Sequence, residues 1–119
     1  MSRNLEAVLV DFIRRCCTSF VRWNLLRQLH ADRRWTTPET AARAIGANHV
    51  TISRELESLA SLGVVYRRRR GRPAYRLAQG SALADALEVA VRAYDSSREF
   101  RFTLVYSIVR ATHMDAVLD

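Results

Sequence analysis

From Thr37 to Leu77 the chain reads TPETAARAIGANHVTISRELESLASLGVVYRRRRGRPAYRL. Thr37 is placed to cap a helix, Pro38 stands at its first position where no N–H is needed, and Glu39 meets its positive end. Ala41, Ala42 and Ile45 give that helix an inner face, and Gly46 ends it. Gly46-Ala47-Asn48 forms a short turn with Asn48 as the next cap. A second helix is expected from His49 to about Leu62, burying Ile52, Leu56 and Leu59 and stopped by Gly63. Two helices joined by so short a turn with Gly are the signature of a helix-turn-helix. Beyond Gly63, the β-prone pieces Val64-Val65-Tyr66 and Ala74-Tyr75-Arg76-Leu77 flank Arg70-Gly71-Arg72-Pro73. They predict a hairpin with a basic tip, in which Pro73 keeps Arg72 extended.

This hairpin carries the charge. Six arginines fall between residues 67 and 76 with no acid among them. The whole chain is +7, and Val64–Leu77 alone is +6. Such a concentration of one sign is costly in self-repulsion unless the partner is a polyanion. A solvated surface usually mixes signs, so the run points to nucleic acid. All nineteen basic residues are arginine, whose planar fork can grip a phosphate or a guanine edge with two bonds.

The totals exclude several classes. A chain of 119 residues, 49% apolar and 26% charged, fits one globular domain rather than a disordered segment. No uncharged stretch is long enough to span a bilayer, so no membrane partner is expected. Glu6 and Asp11 interrupt the N-terminal apolar positions, which makes residues 1–15 a poor signal peptide and a cytoplasmic location the expectation. Cys16 and Cys17 are adjacent and lack any metal-ligand spacing, so they read as small apolar residues, and no metal or cofactor is expected. No nucleophile–base pair, phosphate loop or carboxylate pair suggests an enzyme, and His30, His49 and His113 are scattered.

Upstream, Leu5, Val8, Leu9, Phe12, Ile13 and Cys16 recur on one helical face. Thr18 or Ser19 can cap a second helix that buries Phe20, Leu25, Leu26 and Leu29, unless the two run together as one. Trp35-Thr36 reads as a short extended piece. Downstream, Leu83, Leu87, Ala90, Val91 and Tyr94 mark a helix from Ser81 to Tyr94, broken or re-capped at Asp95-Ser96-Ser97. In the last segment Phe100, Phe102, Leu104, Tyr106 and Ile108 alternate as in a strand. Ser97 with Glu99 nevertheless resembles a helix start, and no Gly or Pro follows, so we read residues 98–115 as helix.

Taken together, Trp-Asn-Leu-Leu-Arg-Gln-Leu from Trp23, the Thr37–Gly46 helix, Val-Thr-Ile-Ser-Arg-Glu-Leu-Glu-Ser-Leu from Val50, and Leu62-Gly63-Val64-Val65 with Gly71–Leu77 resemble the winged helix-turn-helix of prokaryotic transcription regulators. The likeness covers Trp23 to Ala78, and the flanking helices are similar in arrangement to the dimerisation helices of MarR-like regulators. It implies a mainly α fold with a small β-hairpin: a winged core over 19–78 with flanking helices at 1–18 and 79–119, all in one domain. The implied function is a sequence-specific regulator of transcription that binds double-stranded DNA as a homodimer. Arg70-Gly71-Arg72-Pro73 also resembles the core of an AT-hook, which implies Arg contacts in a narrow minor groove.

Helical geometry turns Val50, Ser53, Arg54, Glu57 and Ser61 outward when Ile52, Leu56 and Leu59 face in. In helix-turn-helix docking the start of the second helix meets base edges, so His49, Val50, Thr51, Ser53 and Arg54 are the expected base contacts. Arg54 can fork onto guanine and Val50 can touch thymine methyls, while Glu57 is expected to orient Arg54 or accept from cytosine. On the wing, Arg67, Arg68, Arg69, Arg70, Gly71 and Arg72 are the expected DNA contacts, and alternation would send one pair of Arg67–Arg70 toward DNA and the other away. Tyr66 and Tyr75 are expected to pack the hairpin. The apolar surface of Leu5–Cys17 and Ser81–Asp115 is expected to form the dimer interface. Two further functions stay open: an architectural or RNA-binding protein that reads no bases, and an effector-responsive regulator. The effector would be a thiol switch at Cys16/Cys17 or a small molecule near Phe100, Phe102 and Tyr106.

Overall fold

The computed structural model describes residues 3–118, with side chains from Ala7 to His113. Six helices and one hairpin follow in the order α1 (Arg3–Cys16), α2 (Phe20–Asp32), α3 (Pro38–Ile45), α4 (His49–Ser61), β1 (Val65–Arg67), β2 (Tyr75–Leu77), α5 (Ala82–Ser96) and α6 (Arg98–Leu118). Local chemistry sets most boundaries. Ser19, Thr37, Asn48 and Ser81 each accept a backbone N–H of the helix they open. Ser97 does the same for α6, where its Oγ accepts from the Phe100 amide at 3.2 Å. Gly46 closes α3 at φ 69°, a left-handed conformation that only glycine adopts readily.

α3 and α4 pack together across the Gly46-Ala47-Asn48 turn, and α2 packs behind α3. β1 and β2 pair antiparallel, with Val65 opposite Leu77, Tyr66 opposite Arg76 and Arg67 opposite Tyr75. Thr36, in the extended piece before α3, forms a bridge to Tyr75 and adds a third, minimal strand.

One cluster of buried residues joins these parts. Ile52, Leu56 and Leu59 of α4 meet Leu25, Leu26 and Leu29 of α2, and the same core takes in Leu9, Phe12 and Cys16 of α1. Leu83, Leu87 and Ala90 of α5 and Leu104 and Ile108 of α6 complete it. The flanking helices therefore bury much of their apolar surface within the chain, which leaves a smaller part of it for the expected interface with another copy. What remains exposed is the outer face of α6, at Phe102, Val105, Tyr106 and Val109, together with Val10 of α1.

Other expectations need correction. α1 and α2 are separate helices with Ser19 as the cap, one of the two arrangements expected, but Cys17 lies just outside α1. Phe20 is 45% exposed, whereas Trp23 is buried at 2%. At about 3.6 residues per turn Phe20 lies on the opposite side of the helix from Leu29, in the middle of the buried arc. The side chain of Leu5 lies outside the described residues. Residues 98–115 are helical, as read, and the strand-like alternation has a simple origin: Leu104 and Ile108 face the core while Phe102 (74% exposed) and Tyr106 (59%) face away.

A charged clamp ties the winged part to α5. Glu88 accepts from His30 Nε2 at 2.5 Å and from Arg33 Nη2 at 2.7 Å, and it pairs with Arg92 at 3.2 Å. Arg33 closes α2 at φ 62°, and its Nε donates to the His30 carbonyl at 2.8 Å. The hydrogen bond from His30, reinforced by the two arginines, holds the Glu88 carboxyl below its ordinary range.

Candidate nucleic-acid interface

Asn48 shapes the start of the candidate recognition helix. Its Oδ1 accepts from the Val50 amide at 2.8 Å and from the Thr51 amide at 3.4 Å. Asn48 is thereby committed to the backbone, as expected. Val50 is 51% exposed, and His49, Thr51 and Arg54 are exposed with it, while Ser53 is half-buried. His49 Nε2 stands 4.0 Å from Glu39 on α3. The Arg54 guanidinium makes no ion pair or hydrogen bond among the described residues. The structure thus brings the five residues expected to read bases together on one end of α4.

The two acids of α4 are both occupied. Glu55 accepts from Arg22 Nε at 2.5 Å, and Arg22 Nη2 donates to Ser58 Oγ at 2.9 Å, which fastens α4 to α2. Glu57 turns to the wing instead, where its Oε1 accepts from the Tyr75 hydroxyl and pairs with Arg67 Nε at 3.4 Å. Glu57 therefore does not orient Arg54, contrary to one expectation. Burial and the Glu57 carboxylate push the Tyr75 phenol up to about 12. Tyr75 does pack the hairpin, and Tyr66 ties it to the following segment, with its hydroxyl donating to the Gln79 carbonyl at 3.0 Å.

The wing arginines divide in a way that alternation did not foresee. β1 ends at Arg67, so Arg68–Arg70 belong to the loop and not to a strand. Arg67 is drawn to Glu57. Arg68 folds back on the loop: its Nη2 and Nε donate to the Arg72 carbonyl at 2.7 and 3.2 Å, and its amide donates to the Ala74 carbonyl at 2.8 Å. Gly71 makes that return possible at φ 78°. Arg69, Arg70 and Arg72 are exposed, and their guanidinium groups have no partner among the described residues. Arg76 stacks over the Trp35 ring with its Cζ 4.8 Å from the centroid, a pairing that no sequence spacing announced.

A cleft of about 710 Å³ runs between the start of α3, the outer face of α4 and the wing, with Thr40, Arg43, Ser53, Glu57, Arg72 and Tyr75 among its walls. Candidate base-reading and phosphate-binding groups thus border one concavity. Among the described residues no helix is long and apolar enough to cross a membrane.

The sensing expectations fare differently. Cys16 and Cys17 are buried; burial pushes the Cys16 thiol up to about 11 and the Cys17 thiol higher still. Reactive thiolate is therefore scarce at neutral pH. A cleft of about 410 Å³ lies between α1 and α6, lined by Ile13, Arg14, Cys17, Ser107, Arg110 and Ala111 rather than by the aromatic residues expected.

No protein-family model matches the chain, and no curated protein matches it. Solved structures do. The AntR antimony-specific transcriptional repressor superposes with a TM-score of 0.61 at 21% identity, over 79% of this chain and 84% of that one. The homodimeric winged helix-turn-helix DNA-binding domain (fragment 1–100) of Mb0332 from Mycobacterium bovis, a possible ArsR-family transcriptional regulator, superposes with a TM-score of 0.59. The latter is 29% identical, over 82% of this chain and 91% of that one. The expected MarR-like arrangement of flanking helices finds no support in these two likenesses. Element order, turn, hairpin and superposition agree that this chain has the winged helix-turn-helix fold.

Proposed function

We propose that the chain is a sequence-specific regulator of transcription that binds double-stranded DNA as a homodimer, of the ArsR type rather than the MarR type. One observation carries the proposal: Ser53 of α4 and Arg72 of the wing line the same cleft, while Arg54, Arg69 and Arg70 are exposed, with no partner for their guanidinium groups among the described residues. A duplex seated there meets His49, Val50, Thr51, Ser53 and Arg54 in its major groove and the wing arginines on its phosphates or minor groove. The likeness to Mb0332, a homodimeric DNA-binding domain, supports both halves of the proposal. In a dimer the exposed α6 face is the natural contact, since Phe102, Val105, Tyr106 and Val109 recur at helical spacing on a surface that nothing else covers among the described residues.

The test is selection of bound duplexes from a random pool, followed by binding of the best site and of a scrambled duplex across salt. Discrimination between the two, reduced by Arg54→Ala, supports base reading. Equal affinity for both, unchanged by Arg54→Ala, overturns it in favour of an architectural role.

A further inference from the structure

Glu57 is an acid where a DNA-binding surface has least use for one. It sits on the outer face of α4, one helical turn beyond Ser53, with its side chain half exposed beside a run of arginines. A carboxylate there repels the phosphates that the run would attract. Its two partners show what it does instead. Tyr75, buried on β2, gives it a hydroxyl hydrogen bond, and Arg67, the last residue of β1, gives it a charge. Both strands of the wing are thus fastened to α4 through a single side chain. On its other side α4 is fastened to α2 through Glu55 and Arg22.

We propose that Glu57 reads no base and is a positioning residue: it fixes the wing against the recognition helix and withholds Arg67 from DNA phosphate, so that selectivity rests partly on a carboxylate that borders the cleft without reading its occupant. The inference rests on the DNA-reading proposal above. It adds that the affinity of the wing is deliberately held down. A freed Arg67 would add a phosphate contact to every duplex alike, which raises affinity for any sequence and dilutes discrimination.

Two substitutions separate the roles. Glu57→Gln keeps an oxygen for the Tyr75 hydroxyl but removes the charge that holds Arg67. Tyr75→Phe removes the hydrogen bond but leaves the Glu57–Arg67 pair. Fluorescence anisotropy on the selected duplex and a scrambled one, across salt, should show Glu57→Gln binding scrambled DNA more tightly, with its log–log salt slope steeper by about 0.9. The ratio of selected to scrambled affinity should fall, and Glu57→Gln, Arg67→Ala should return the slope to the wild-type value. Tyr75→Phe should lower the ratio at unchanged slope. In the DNA-free protein it should also speed exchange of the Arg68 amide, which closes the wing onto Ala74.

An unchanged slope in Glu57→Gln overturns the proposal, as does a loss of preference at one base pair only, which would make Glu57 a base reader. Unchanged Arg68 exchange in Tyr75→Phe overturns the fastening. If the wild type does not discriminate duplexes, the DNA-reading proposal fails by itself. The steeper slope and faster exchange still decide whether Glu57 restrains the wing.

Discussion

Thr36 and Tyr75 exchange both of their backbone hydrogen bonds, Thr36 N–H to the Tyr75 carbonyl at 2.8 Å and Tyr75 N–H to the Thr36 carbonyl at 2.9 Å. The wing therefore does not hang from the core by β1 alone. Its second strand is sewn to the segment that leads into α3, and both residues are buried. Thr36→Pro removes one donor and strands the Tyr75 carbonyl. We expect a loss of about 1–3 kcal/mol in stability, read from the midpoint of urea unfolding. A midpoint equal to wild type would show that the Thr36 N–H bond adds nothing to the docking of the wing.

The wing arginines should separate by function. Arg69→Ala, Arg70→Ala and Arg72→Ala should each flatten the salt dependence of DNA binding by up to about 0.9 in the log–log slope. Arg68→Ala should weaken binding at nearly unchanged slope, because its guanidinium serves the loop and not the phosphates. Equal slope changes at all four positions would show that Arg68 leaves the Arg72 carbonyl when DNA arrives.

That division marks where sequence ceased to be informative. The caps at Ser19, Thr37, Asn48 and Ser81 act within three residues of themselves, so residue type and spacing revealed them. The same holds for the turn at Gly46 and the inner face of α4. The partners of Arg67 and Trp35 come from other elements, ten and forty-one residues away, and no local period encodes them. Phe20 was misplaced because α2 carries apolar residues around much of its circumference. The length of the strands was overread for a physical reason too: with β1 ending at Arg67, alternation has nothing to act on beyond it.

The outer and inner faces of α6 should respond differently. Phe102→Glu leaves the core intact, so it should turn a dimer into a monomer by light scattering while the thermal midpoint of the dissociated chain hardly moves. Leu104→Ala hollows the core and should cost about 2–5 kcal/mol by chemical denaturation. A wild-type chain that is monomeric at micromolar concentration would remove the dimer from the proposed function.

Glu88 gives the fold an acid-sensitive joint. Its carboxyl titrates below the ordinary range when folded, so the charged form stabilises the native state above the ordinary carboxylate pKa, and that stabilisation is lost as pH falls through the lowered value. Glu88→Gln should therefore be less stable than wild type at pH 7, with the gap closing in acid. A gap that stays constant from pH 7 down to pH 3 would mean that the clamp contributes through shape rather than charge.

Cys16 and Cys17 should be slow to alkylate in the native chain at neutral pH and quick once it is unfolded in urea, since burial raises both thiols. Rapid native labelling, together with a change in DNA affinity after peroxide treatment, would restore the thiol switch.

The return of Arg68 onto the Arg72 carbonyl has a kinetic meaning as well. A loop of free arginines must give up many conformations to meet a backbone, and each side chain that orders on contact subtracts from affinity. Here one arginine has already closed the loop, so its neighbours are displayed from a frame that exists before any encounter. If the proposed function holds, such a tip samples a duplex and lets go without refolding between attempts, as rapid rejection of wrong sites requires.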